Sequence, residues 1–209
     1  EFEITIPVRK RDFWEANRES LDRILYELTH DRIGLDFCDH SGEIYEFRND
    51  DRSGPDCVCA LSGGLDSMAG ATMLLRADRQ PLVVTHRSGN PYVSRARDAV
   101  VETLQDLRPH SLHETSATIQ PRRQSEGAYE YPAPRQRETS RRSRSFLFLS
   151  LSVLAGACAG VSEVYICDNG ILTVALPLSR GRIGSLSTRS THPAVLGAMN
   201  RLLDAAGAR

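Results

Sequence analysis

Residues 57–76 combine three patterns that only a few folds can accommodate. A short apolar run at residues 57–61 is followed by the sequence SGGLDS at residues 62–67, and helical periodicity then extends to residue 76. The two adjacent glycines lack Cβ atoms, so the backbone can turn with positive φ and direct successive N–H groups at an anion. A strand, a glycine turn and a helix N-terminus in this order predict an anion-binding loop.

The polar side chains of this loop suit a phosphate ligand. The hydroxyl groups of Ser62 and Ser67 can complete a cradle of backbone N–H groups. Asp66 would repel a bare phosphate, so it either caps the helix or lies where Mg²⁺ screens the two anions. The loop is neither a Walker A sequence, which ends in Gly-Lys-Ser/Thr, nor a GxGxxG fingerprint. The alternative is an ordinary Gly-Gly turn whose Ser and Asp only cap a helix.

Strand and helix patterns alternate beyond residue 55. The predicted strands are residues 57–61, 82–85 and 164–167, and the predicted helices are residues 67–76, 92–107, 146–158 and 194–206. This alternation predicts an α/β fold in which an open parallel sheet carries helices on both faces. Residues 55–209 are therefore expected to form the main domain.

A small N-terminal module is expected at residues 1–54. Residues 1–8 alternate as a strand does, residues 11–28 carry a helical apolar stripe, and residues 31–47 suit one or two strands with a turn at Ser41-Gly42. A polar linker follows at residues 49–55. The sequence thus predicts an α+β module ahead of the main domain.

Composition excludes several classes of protein. Of the 209 residues, 26 are basic and 27 are acidic, so the net charge of -1 gives no general reason to expect nucleic acid as a partner. Apolar stretches are too short for a membrane helix, and the first residues lack the basic and apolar regions of a signal peptide. Five cysteines without a CxxC pair favour reduced thiols over disulfides or zinc. We expect a cytoplasmic protein without membrane contact.

Candidate ligand-binding residues also follow the other predicted strands, because ligands of open parallel sheets lie at the carboxyl ends of the strands. His86 and Arg87 follow the strand at residues 82–85, and Asp168-Asn169-Gly170 follows the strand at residues 164–167. In the alternative interpretation, His86 is an ordinary surface or helix-capping residue.

Residues 176–193 form a second candidate region, rich in hydroxyl groups, glycine and arginine. Arg182 or Arg189 can bind a carboxylate in bidentate fashion. The alternative is a solvated loop in which Thr191 or His192, just before Pro193, caps the last helix. We favour a ligand-binding role, because loops held by such a sheet usually carry the ligand chemistry.

Residues 120–144 are polar, contain three prolines and have a local charge excess of +4. This composition is typical of a mobile loop, which would close over a ligand as a lid or contact a nucleic acid or an acidic partner. A disordered insertion is an equal alternative, because such a segment cannot bury enough apolar surface to order alone.

The segment 62–67 resembles the PP-loop ATP pyrophosphatases, whose signature SGGxDS follows the first strand of an adenine nucleotide alpha-hydrolase-like fold. The resemblance implies that the chain binds ATP with Mg²⁺ and cleaves it between the α and β phosphates, usually to adenylate an oxygen. It assigns pyrophosphate binding to Ser62, Gly63, Gly64, Leu65, Asp66 and Ser67, with Asp66 also at the Mg²⁺. His86 and Arg87 would face the adenine and ribose.

A narrower resemblance points to the 7-cyano-7-deazaguanine synthase (QueC-like) branch. Residues 143–146 resemble the helix start of these synthases, and residues 168–170 and 184–193 are similar to divergent QueC-like proteins of bacterial anti-phage operons. The resemblance implies adenylation of 7-carboxy-7-deazaguanine and attack by ammonia or by an amine of a partner protein. Arg144 would then neutralise phosphate charge, while Arg189 and His192 are candidates for the acceptor carboxylate or a base.

One difference from the synthases is the four-cysteine zinc site, whose spacing the five cysteines do not reproduce. The zinc segment either lies beyond Arg209 or is missing from this branch, and we expect the sequence to be a fragment. Two other functions stay open, namely a tRNA-modifying PP-loop enzyme that binds RNA through residues 120–144 and an ATP-binding defence subunit without turnover. A homodimer is also compatible with the sequence.

Overall fold

The computed structural model describes residues 2–42, 54–87, 89–119, 135, 144–168, 170 and 191–207. Its N-terminal part contains two parallel strands. Strand β1 (Phe2–Val8) pairs with β2 (Ile33–Asp39), as predicted for residues 1–8 and within 31–47. The predicted helix 11–28 is wrong in one respect, because it divides into α1 (Arg11–Ala16) and α2 (Arg18–Thr29). Asn17 causes the break, since its side chain donates to the Phe13 carbonyl oxygen at 2.8 Å and competes with the helix ladder.

The main sheet has four strands, all parallel, in the order β5-β4-β3-β6. Its elements are β3 (Cys57–Leu61), α3 (Leu65–Arg76), β4 (Pro81–His86), α4 (Pro91–Leu107), β5 (His113–Ala117), α5 (Arg144–Ala159), β6 (Val164–Tyr165) and α6 (Pro193–Ala206). The predicted parallel α/β sheet is confirmed. Two details of the prediction are wrong: it lacked β5, and β6 ends two residues before residue 167.

Helices cover both faces of the sheet. Every residue of β3 is buried, and alternate residues of this strand face opposite sides. One side packs against α3 and α4 in a core that contains Cys57, Cys59, Leu61, Ala71, Leu74, Leu75, Val83, Val101 and Leu104. On the other side, α5 approaches β3 so closely that a Cβ at Gly156 would lie 3.4 Å from Val58 Cγ2. Within the described residues, no helix is long and apolar enough to cross a membrane.

The N-terminal elements share a core with the main sheet's helices. Ile24 and Leu28 of α2 are fully buried against α6 and α5, in a cluster completed by Leu149, Val195, Ala198, Met199 and Leu202. The predicted boundary near residue 54 adjoins residues 43–53, which lie outside the described part of the chain and include residues 43–47 of the predicted 31–47 region. The division into two domains therefore stays a prediction.

An ion-pair network joins three strands at their amino ends, opposite the segment 62–67. Arg79 lies 2.8 Å from a carboxylate oxygen of Asp56 and 2.8 Å from one of Glu163, and it donates to the Tyr165 hydroxyl at 3.2 Å. We call these four residues the Arg79 cluster. Burial would raise the Asp56 pKa, but hydrogen bonds, among them that from Arg79, lower it. The bond from Arg79 lowers the Glu163 pKa.

Candidate functional site

The strand order reverses between β3 and β6, because β4 and β5 lie on one side of β3 and β6 lies on the other. A crevice at the carboxyl ends of two such strands is where open α/β sheets bind their ligands. Here it forms a cavity of about 180 Å³. Its walls are Ala60, Ser62, Gly64, Leu65, Asp66 and Ser67 on one side, and Ser145, Phe148, Ile166, Cys167, Asp168 and Thr191 on the other.

Gly63 makes the turn of the loop possible for two reasons. Its φ of 82° lies in the left-handed region that glycine adopts without strain. An added Cβ would also lie 3.1 Å from Arg97 Cα and 3.2 Å from the Arg97 backbone nitrogen, so the loop packs directly on the backbone of α4. Arg97 itself is buried and donates to Thr85 Oγ1 at 3.3 Å. No pattern in the sequence indicated this support behind the loop.

The loop is closed by a ring of hydrogen bonds. The Gly64 N–H donates to Ser62 Oγ at 3.3 Å, and Ser67 Oγ donates to the Gly64 carbonyl oxygen at 2.9 Å. Ser62 Oγ and Ser67 Oγ are 3.2 Å apart, and because the Ser67 proton points to Gly64, Ser62 is the donor between them. Both hydroxyl groups are thus held at one wall of the cavity, and Ser67 is only 4% exposed.

Helix α3 presents its N-terminus to the cavity without a side-chain cap. Its N-cap residue is Gly64, whereas Asn90 and His192 cap α4 and α6 with side-chain acceptors. The first N–H groups of α3 are therefore open to an anion. The predicted start at residue 67 is wrong, because the helix begins at Leu65, whose exposed side chain adds nothing to the apolar stripe. Asp66 lies in the first turn and lines the cavity instead of capping the helix.

The opposite wall is fixed by a contact that the sequence did not reveal. Thr191 Oγ1 donates to Asp168 Oδ2 at 3.0 Å, and Thr191 is buried. The bond joins the end of β6 to the start of α6, and it holds a carboxylate beside the loop. Of the two caps considered for the last helix, Thr191 and His192, the structure uses His192, whose Nδ1 accepts from the Ala194 N–H at 3.2 Å.

The electrostatics of the cavity bear directly on which ligand it can hold. Asp66 and Asp168 both line it, and none of the described lining residues is a cation. A polyphosphate alone would be repelled, so a divalent cation has to accompany it. Among the described residues no group of three or more His, Cys, Asp or Glu side chains could hold a metal ion. A Mg²⁺ ion that arrives with a nucleotide needs only one or two carboxylates, because phosphate oxygens supply other ligands.

His86 and Arg87 lie at the end of β4 but do not line the cavity. His86 Nε2 lies 3.1 Å from the Ile119 carbonyl oxygen, and its ring packs edge-on against Phe148 at 6.2 Å between centroids. Arg87 Nε donates to Ser116 Oγ at 3.1 Å. His86 therefore touches the site through Phe148, which is a cavity residue.

The remaining predicted residues fall into two groups. Arg144 begins α5, and its guanidinium carbon lies 5.4 Å from the centre of the Phe148 ring, one residue before the cavity residue Ser145. Arg189, Arg182, the segment 171–190 and all of residues 120–143 except Arg135 lie outside the described residues. The five cysteines are free thiols, and Cys167 is the one that lines the cavity.

A larger cavity of about 670 Å³ lies over β4 and β5 beside α5. Its described walls are Gly54, Pro55, residues of β4 and β5 and the second half of α5, none of which offers a helix N-terminus to an anion. The cavity beside the segment 62–67 is therefore the candidate site. No protein-family model matches the chain, and no curated protein or solved structure matches it significantly. The interpretation of the site depends on its residues and their geometry.

Proposed function

We propose that this chain binds ATP with Mg²⁺ at the segment 62–67 and transfers AMP to a carboxylate, with release of pyrophosphate. The main support is the uncapped N-terminus of α3, which follows the hydrogen-bonded loop 62–67 at the point where the strand order reverses. These features together suit phosphate groups better than a neutral ligand, because the first N–H groups of α3 have no side-chain cap.

Each residue of the loop has a definite task in this proposal. The first N–H groups of α3 bind the β and γ phosphates, and the hydroxyl protons of Ser62 and Ser67 rotate from their partners within the loop toward the phosphate oxygens. These donors stabilise the charge that develops on pyrophosphate as the bond between the α phosphorus and the bridging oxygen breaks. Gly63 and Gly64 allow the backbone to approach the phosphates, and Asp66 would hold the Mg²⁺, which supplies charge neutralisation when bound.

The cavity holds only part of such a substrate. At about 180 Å³ it is smaller than the roughly 300–1,000 Å³ of typical small-molecule pockets, so it suits the phosphates and not the whole nucleotide. We assign the adenine and ribose to the side of His86 and Arg87, and Arg144 to the phosphate charge. The acceptor carboxylate is assigned to Arg189, with His192 as a candidate base whose Nδ1 is already engaged in capping α6.

The resemblance of residues 143–146, 168–170 and 184–193 to the QueC-like branch favours 7-carboxy-7-deazaguanine as the acceptor. The adenylate would then react with an amine, either ammonia or an amine of a partner protein in an anti-phage system. Adenylation suits this sequence of steps because it turns the carboxylate oxygen into a leaving group that an amine can displace.

The test is to incubate the protein with Mg-ATP, 7-carboxy-7-deazaguanine and ammonium, so that an amine can displace AMP from the adenylate, and to measure AMP, ADP, pyrophosphate and phosphate. AMP and pyrophosphate in equal amounts, dependent on the carboxylate and on Mg²⁺, would support the proposal. Release of ADP and phosphate would refute it. Mg-ATP binding without turnover would favour the ATP-binding subunit, and turnover that requires tRNA would favour the RNA-modifying enzyme.

A further inference from the structure

Strand β5 forms an open edge of the main sheet. Within the described residues it pairs with β4 alone, and Glu114, Thr115 and Ser116 are all exposed. An edge strand presents unpaired N–H and C=O groups, which another strand can bind. The sequence HETSA contains no proline or lysine, and its register with β4 has no bulge. The backbone of β5 can therefore accept a further strand.

The outward backbone groups of this edge belong to Glu114 and Ser116. The Arg87 N–H donates to the Ala117 carbonyl oxygen at 2.8 Å, so residue 117 directs its N–H and C=O groups toward β4. These groups alternate in direction along a strand, and those of Glu114 and Ser116 therefore point away from β4. Two N–H and two C=O groups are thus available to a neighbouring strand.

The side chains of Glu114 and Ser116 lie on the α4 face of the sheet, and each has an arginine nearby. Glu114 is 3.9 Å from Arg97, which also pairs with Asp98, so this end of the edge keeps a net negative charge. Ser116 Oγ accepts at 3.1 Å from Nε of Arg87, which is exposed. The edge therefore carries negative charge at residue 114 and positive charge at residue 116.

We propose that β5 pairs antiparallel with β5 of a second copy of this chain, across a twofold axis that passes beside Thr115. In this register Glu114 lies opposite the partner's Ser116, and Ser116 lies opposite the partner's Glu114. Both are hydrogen-bonded pairs, so four N–H···O bonds join the two strands. The result is one continuous sheet of eight strands, made from two four-stranded sheets.

Charge complementarity identifies a second copy as the partner. In an antiparallel sheet, the two residues of a hydrogen-bonded pair have Cα atoms about 5.5 Å apart and side chains on the same face. Because Arg87 is held at Ser116, Glu114 reaches the partner's Arg87, and the twofold axis makes this contact twice. Thr115 meets the partner's Thr115 in a pair that favours β-sheets. A parallel pairing in register would instead bring Glu114 against its own counterpart.

Sedimentation equilibrium of the whole chain tests this inference apart from the proposed function, because the interface needs no nucleotide. We expect the mass of two chains. Ser116→Pro removes an outward N–H group and no bond to β4, so two of the four interchain bonds are lost. This variant should raise the dissociation constant of the dimer at least about tenfold. Ser116→Ala keeps that N–H group and should change the constant less than about threefold.

Exchange of the two charges tests the ion pair across the axis. Glu114→Arg and Arg87→Glu should each raise the dissociation constant at least about tenfold, because like charges then meet twice. The double variant restores opposite charges and should dimerise more tightly than either single variant, whereas damage within one chain would make it the weakest of the three. Glu102→Arg makes the same change of charge at an exposed position on α4 and should leave the constant unchanged.

Amide hydrogen exchange, followed by NMR, locates the interface. The Glu114 N–H should be protected in the dimer and should exchange rapidly in Ser116→Pro, whereas the Thr115 N–H, which faces β4, should stay protected in both. A monomer at the highest soluble concentration, or a dimer that Ser116→Pro and both charge reversals leave intact, would overturn the inference. Slow exchange of the Glu114 N–H in a monomer would also overturn it, because another part of the same chain would then cover the edge.

Discussion

Removing the Ser67 hydroxyl should harm ATP binding far more than folding. In Ser67→Ala, the chain loses the donor to the Gly64 carbonyl oxygen at 2.9 Å and the acceptor from Ser62 at 3.2 Å. Each bond contributes about 0.5–1.5 kcal/mol, but Ser62 and Gly64 are exposed and can bind water instead. Alanine also favours a helix by about 0.5 kcal/mol. The expected net loss is about 1 kcal/mol, or roughly 2–4 °C in Tm for a chain of this size.

The expected loss of Mg-ATP affinity is larger. A hydrogen bond to a charged group contributes about 1.5–3 kcal/mol, which corresponds to a roughly 10- to 150-fold rise in Kd. Isothermal titration calorimetry with Mg-ATP measures the affinity, and pyrophosphate release under saturating substrate measures whether turnover falls in parallel.

Thr72→Ala is the matched control for Ser67→Ala. Thr72 lies on the same helix, and its Oγ1 donates to the Met68 carbonyl oxygen at 2.8 Å, but it does not line the cavity. Removing the Thr72 hydroxyl group should leave Mg-ATP affinity unchanged, so this variant measures the effect of losing a hydroxyl group from the helix alone. If Ser67→Ala changed affinity less than threefold, or lost affinity only in proportion to a fall in Tm of more than about 8 °C, the hydroxyl would have a structural role alone.

Three further results are expected. Gly63→Ala should lower the free energy of unfolding by about 2–3 kcal/mol, seen in urea titrations, because a side chain there needs a left-handed φ and meets the α4 backbone. The Arg79 cluster should stabilise the fold above about pH 5, because the pKa values of its two carboxylates are lowered in the folded state. This stabilisation should be lost as the pH falls through the lowered pKa values. Arg79→Gln should therefore flatten the pH dependence of the urea midpoint. Gly70→Ala should cost about 1–3 kcal/mol in the same titration, and Cys167→Ala should restore part of it, because the new methyl group would then replace the sulfur.

The sequence was sufficient for the parts of the fold that depend on local pattern. The β3–loop–α3 unit was predicted because buried apolar residues, adjacent glycines and helical periodicity follow one another within 20 residues. Strand β5 was not predicted, because its sequence HETSA has no apolar run or alternation. It is an edge strand that forms through its pairing with β4. Asp168 on the far wall was a candidate from the sequence, but its bond to Thr191 was not predictable, since it depends on how β6 and α6 pack.

The sign of the charge in the cavity separates this loop from phosphate sites that use a lysine. With two carboxylates and no cation among its described lining residues, the cavity should repel free ATP and accept Mg-ATP. Asp66→Asn keeps the shape of the side chain and removes its charge, so the two ligands should respond in opposite directions. A carboxylate and a phosphate charge roughly 5 Å apart repel by about 3 kcal/mol at an effective dielectric of ~20. Because Asp66 is exposed, solvent reduces this repulsion to about 1 kcal/mol, which corresponds to about fivefold in affinity. The variant should bind ATP in EDTA up to about fivefold more tightly and Mg-ATP at least fivefold more weakly, while Glu102→Gln, an exposed carboxylate on α4, should change neither. Equal weakening of both ligands would mean that Asp66 supports the loop's shape and not its charge.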